Sequence, residues 1–122
     1  MKILLLMILM HIIDDFVFQP QSLSYLKQKS WWEKNYPQKK YEDDYRVALF
    51  LHALSWSIMV HLPIIFTMIV SELWLTVSIV ANLAVHMWID NLKANKGMLS
   101  LFQDQAIHII QVTVTWALFS LL

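Results

Sequence analysis

A chain of 122 residues fits one domain, and 58% apolar residues with a single glycine is unlike a soluble globule of that size. The absence of cysteine excludes disulfides and thiolate metal sites, so any metal must rest on imidazole and oxygen ligands. Nine basic residues balance nine acidic ones, which leaves no footprint for nucleic acid. The chain reads as an all-α integral membrane protein, residues 1–122 forming one transmembrane domain.

The first apolar run opens MKILLLMILM, with one lysine ahead of it as in a secretory signal. No small-x-small cleavage site follows, and the run continues through His11, Asp15, Phe16 and Phe18 to Gln19-Pro20. A retained span over about 3–19 is expected, ended by Pro20. At ~1.5 Å per residue, such a helix just covers a ~30 Å hydrocarbon core.

Residues 20–46 change character. Lys27, Lys29, Lys34, Lys39, Lys40 and Arg46 alternate with Glu33, Glu42, Asp43 and Asp44. Tyr25, Trp31, Trp32, Tyr36, Tyr41 and Tyr45 are interleaved with them, and such rings favour the headgroup layer. The segment is expected to be an amphipathic connector on the membrane surface, either a solvated loop with interfacial anchors or a contact for substrate headgroups.

Three further spans are expected, at about 47–70, 73–91 and 99–121, giving a four-helix bundle of antiparallel neighbours. Pro63 kinks the second span or marks its approach to the far interface. With four spans, residues 20–46 and the 91–98 connector share a side, and they hold eight of the nine Lys and Arg residues. The basic asymmetry makes that side cytoplasmic, in a multi-pass protein of a bacterial inner membrane.

Three spans carry His and Asp at i, i+4 spacing: His11 with Asp15, His86 with Asp90, and Asp104 with His108. That spacing stacks both side chains on one helix face. His52 adds a single imidazole from the second span. Counted inward from Gln19, Arg46, Lys93 and Leu99, these seven residues all fall within a layer about 5–14 Å below the basic face, at ~1.5 Å per residue. Helices of alternating direction would scatter unrelated polar residues over both leaflets, so the agreement predicts one pocket facing the cytoplasm. His61, mid-span and without an acid at i+4, is expected to pack or hydrogen-bond outside it.

Neutral imidazoles and carboxylates suit Zn, Mn or Fe(II), and helix bundles build metal sites by projecting such groups inward. His11, Asp15, His52, His86, Asp90, Asp104 and His108 suffice for one ion with supporting carboxylates, or for two bridged by carboxylate. The alternative for each residue is an interhelical hydrogen bond that joins the bundle. Gln19, i+4 from Asp15, and Gln105 are placed to orient ligands. Lys93, i+3 from Asp90, either supplies a donor for an anionic substrate or snorkels to the positive interface. Asp14 lies off the His11 stripe of an ideal helix, where it supports a ligand or strains the lipid boundary.

The phrases HIIDDFVFQ, FLHAL, HMWIDNLK and QDQAIH, in that order, resemble the signature of the membrane family catalogued as domain of unknown function 3307. The likeness covers nearly the whole chain. It selects His11, Asp15, Phe16, Gln19, Lys27, His52, His86, Asp90, Lys93, Asp104, Gln105 and His108, while Asp14 stands where the family often has a small residue. The resemblance implies a multi-spanning bacterial or bacteriophage protein and carries no established activity. The His/Asp arrangement is more loosely similar to that of membrane-bound metal-dependent hydrolases.

Two function classes follow. One is a metal-dependent hydrolase acting at the cytoplasmic leaflet on a phosphoester or amide of a lipid or small amphiphile, with Asp15 and Asp104 in acid–base roles and Lys93 stabilising anionic charge. The other is a small cation or proton transporter, or a metal-binding regulator, without catalysis. Membrane lipids and an anionic substrate are the expected partners, with a homo-oligomer allowed. A holin-like factor whose polar residues only mediate association does not call for three His/Asp pairs. Transporters favour midplane sites and inverted repeats, neither of which the sequence has.

Overall fold

The computed structural model describes all 122 residues, and its regular structure is wholly helical. The first apolar run becomes α1 (Lys2–Ile13), which passes directly into a π-helical turn, Asp14–Phe18. Gln19 is extended, at φ −85 and ψ 101, as the ring of Pro20 requires of the residue before it. The polar segment folds as two short helices, α2 (Gln21–Leu26) and α3 (Lys29–Asn35), and a 3₁₀ turn at Lys39–Tyr41. Here Trp31, Trp32, Tyr36 and Tyr41 pack on one another, with ring centroids 5.2–6.2 Å apart.

The remaining apolar runs form α4 (Asp44–Thr67), α5 (Glu72–Ala94) and α6 (Leu101–Ser120). Their starts follow local chemistry. The Ser71 hydroxyl accepts from the Trp74 amide to cap α5, and Ser100 with Gln103 forms a reciprocal capping box at α6. Gly97, the one glycine, takes φ +61 in the turn between them, a conformation that costs residues bearing a Cβ about 1 kcal/mol or more. Pro63 lies inside α4 without ending it: the helix continues to Thr67.

α4 is the centre of the fold, packing on α1 and α5; α6 closes the ring against α1 and α5, and α2 and α3 lie against α4. The apolar core, Met7, Trp56, Val60, Ile64, Val112 and Phe119, brings the start of α1 to the ends of α4 and α6. Neighbouring helices therefore alternate in direction. This core occupies one end of the bundle and leaves the other to the His/Asp stripes, with Trp56 at the boundary.

By length and composition, two segments can cross a membrane, Lys39–Thr67 and Glu72–Ala94. α1 is shortened to 12 residues by its π turn, and α6 carries Gln103, Asp104, Gln105, His108 and Gln111. Met7→Ala, at a fully buried core position, should lower stability by about 2–5 kcal/mol through the cavity it leaves. Equilibrium unfolding of the purified protein would measure this.

Candidate metal centre

Alternating helix directions bring the four polar stripes to one level, and their side chains meet. The Nε2 atoms of His52 and His86 lie 3.1 Å apart. His52 Nε2 is 3.5 Å from Asp15 Oδ1 and 3.4 Å from Asp90 Oδ2. Asp90 Oδ1 is in turn 3.7 Å from His86 Nε2 and 3.3 Å from His108 Nε2. Two sets of ligand atoms, Asp15 with His52 and His86, and His86 with Asp90 and His108, each lie within 4.8 Å of one another.

These separations are compatible with a shared ion. A tetrahedral ion with bonds of about 2.0–2.2 Å sets its ligand atoms roughly 3.3–3.6 Å apart, and most of the separations cluster around that value. Two facing Nε2 atoms also need a proton or a cation between them, since two lone pairs repel. His86 is common to both sets, so its imidazole would be shared between them. Asp14 backs His52: its Oδ1 accepts from Ser55 at 2.6 Å, and Oδ2 lies 3.8 Å from His52 Nδ1. His86 Nδ1 and His108 Nδ1 are buried without a partner, unlike the usual metal-bound imidazole whose far nitrogen donates to an acceptor.

Two residues expected as ligands belong to neither set. His11 has both nitrogens engaged: Nδ1 accepts from Trp56 Nε1 at 2.7 Å, which leaves Nε2 to donate to Gln105 Oε1 at 3.0 Å. It therefore buttresses the centre. Asp104 is drawn to Lys93, whose Nζ lies 2.7 Å from Oδ2, while Oδ1 stays 3.3 Å from His108 Nε2. Gln105 ties these together, donating to Asp15 Oδ2 at 3.1 Å and Asp104 Oδ2 at 3.2 Å. Gln19 touches no His or Asp; it accepts from Lys27 at 3.2 Å. His61 lies apart, bonded to the Ser57 carbonyl at 2.7 Å and to Ser78 Oγ at 2.8 Å.

Residues 3–122 match the family described as Protein of unknown function (DUF3307). The chain belongs to that family. No curated protein and no solved structure matches it.

Three features of this DUF3307 centre escape the helix-spacing argument. Lys27 enters from the connector, buried, with Nζ 2.7 Å from Asp90 Oδ2; only the family resemblance pointed to it. Its turn is clamped by Asn95, which donates to the Lys27 carbonyl at 3.0 Å and accepts from the Lys29 amide at 2.6 Å. Trp56 forms the floor, fully buried and stacked on His86 with centroids 4.2 Å apart. Its i+4 relation to His52 was the available signal, masked by the bulk apolarity of α4. Finally, Asp14, i+3 from His11 and the first residue of the π turn, is 1% exposed and faces Ser55 and His52 of α4.

The Lys27 and Asp90 pair gives a direct test. Lys27→Met leaves a buried carboxylate without its counter-ion and should destabilise the fold by about 3–5 kcal/mol, whereas adding Asp90→Asn to that variant should recover part of the loss. A double-mutant cycle on unfolding in micelles measures both.

Proposed function

We propose that this protein is a four-span membrane protein that binds a divalent ion, Zn, Mn or Fe(II), near the cytoplasmic face and uses it to hydrolyse a phosphoester or amide of a lipid or small amphiphile. The observation that carries the metal reading is the convergence of three imidazole Nε2 atoms with carboxylates of Asp15 and Asp90, drawn from four helical segments. Charge supports it. Asp14, Asp15, Asp90 and Asp104 face only Lys27 and Lys93 among the fixed cations here, and one divalent ion offsets the remainder.

The membrane reading rests on an inverted distribution of polarity. Twelve of the 24 buried residues are polar or charged, while Leu5, Leu9, Phe16, Phe50, Val80, Trp88, Ile110 and Leu118 face outward. In water, so much exposed apolar surface marks an interaction site; in lipid it is the ordinary outside of a bundle. The basic connectors support an orientation with the centre toward the cytoplasm.

A bound divalent ion supplies Lewis acidity and activates water. The chain's own groups then divide the remaining work. Asp104 Oδ1 belongs to neither ligand set and is buried without a hydrogen-bond partner, so it keeps a lone pair for a proton in transit, while Asp15 Oδ1 serves as a ligand. Lys93, about one-third exposed, sits at the rim where it meets anionic charge on a substrate. The enclosure of the ligands favours a second reading, a small cation or proton transporter or a metal-binding regulator: His86 and His108 are fully buried, and both lysines already pair with carboxylates of the centre.

Elemental composition of the protein purified in detergent tests the metal directly. His86→Ala and Asp90→Asn should lose the ion and any hydrolysis together. Lys93→Met should keep most of the ion while lowering turnover by ~10² or more, the usual effect of removing one charge-stabilising donor. A panel of lipid and nucleotide phosphoesters, with and without chelator, is the assay; tight metal binding with no turnover on any substrate favours the second reading. For topology, Gln38→Cys should resist an impermeant thiol reagent in intact cells and react after lysis.

A further inference from the structure

A groove of about 860 Å³ lies between α3, the first turn of α4 and the last turns of α5, and it contains none of the His or Asp residues of the candidate centre. Its rim carries Lys29, Arg46 and Lys96 against one carboxylate, Glu33. Its floor is Leu49, Leu83, Ala84, Met87 and Trp88. We propose that this groove binds one anionic phospholipid, the phosphate at the basic rim and the upper acyl chain along the apolar floor. The proposal rests on the membrane reading above but not on the hydrolase reading.

Charge and polarity change together along the groove, as they do along a phospholipid. From Leu83 to Lys96, α5 and its end cover fourteen residues, thirteen steps and roughly 20 Å of groove at ~1.5 Å per step. Existing ion pairs at the rim offer little competition: Lys29 and Glu33 are 3.7 Å apart, Arg46 and Asp43 3.3 Å, and all four side chains are more than half exposed. Lys96 is exposed and pairs with no carboxylate. Basic pockets between helices at a cytoplasmic interface attract anionic headgroups, and an exposed Trp such as Trp88 favours the same layer. A soluble phosphate would leave the floor wet, a neutral lipid would leave the rim charges unanswered, and a second copy would set two basic rims against each other.

The test uses the full chain in mixed micelles with phosphatidylglycerol or phosphatidylcholine, read by native mass spectrometry. One phosphatidylglycerol should remain per chain, about tenfold or more in preference to phosphatidylcholine. The triple variant Lys29→Gln, Arg46→Gln, Lys96→Gln should lose the preference, and Ala84→Trp, which fills the groove while keeping its charges, should lose the retained lipid. Equal retention of the two lipids, a preference unchanged in both variants, or displacement by millimolar glycerol 3-phosphate as readily as by lipid would overturn the proposal. Flotation with pure phosphatidylcholine vesicles separates the two levels: failure to float defeats the membrane reading, whereas flotation without headgroup preference defeats only the lipid site.

Discussion

The carboxylate of Asp90 is the point on which the rest of the molecule depends. It is nearly inaccessible, and an isolated ionised carboxylate in such surroundings carries a penalty of several kcal/mol or more. The fold answers it from every side: Lys27 from the connector at 2.7 Å, His52 from α4, His86 from its own helix and His108 from α6. None of these can withdraw without leaving charge buried and unanswered. The packing of the bundle and the candidate centre share these residues, and an ion held there would stabilise the folded chain through that linkage.

The polar half of the bundle is stabilised differently from the apolar half. Around Met7, Val60, Ile64 and Val112 the helices meet mainly through side-chain packing, with Ser57 and His61 bonded across to α5. Between the two regions runs a band of neutral hydrogen bonds, in which Asn82 donates to Thr115 at 3.0 Å and Gln111 donates to Asn82 Oδ1 at 2.9 Å. Such bonds join helices without the charge burden of the centre, at roughly 0.5–2 kcal/mol each. Trp56 adjoins both regions, stacked on His86 and grouped with the core, so rigidity in the apolar half reaches the imidazoles. A centre that binds an ion at fixed spacing needs that support.

How the connector is used also separates this fold from a plain hairpin bundle. It does not simply cross the surface between α1 and α4; Asn95 holds its turn against the end of α5 and thereby aims Lys27 at Asp90. A loop position 63 residues from its partner in the chain has become part of the centre.

The amino-acid sequence by itself determined the helical class, the four apolar runs that become α1, α4, α5 and α6, the break at Pro20, and the shared level of Asp15, His52, His86, Asp90 and His108. All of these follow from local rules: hydropathy runs, caps, and a 3.6-residue period that puts i and i+4 on one face. Only the tertiary structure decided which residues that level actually joins. Asp14 was joined to Ser55 and His52 of α4; His11 was diverted from the centre by Trp56 and by Gln105, 94 residues away. Asp104 was likewise drawn to Lys93, and Lys27 was placed by a clamp on another helix. Periodicity fixes the face a side chain shares with its own helix, but its partner is chosen by the packing of different helices, where distance along the chain carries no information.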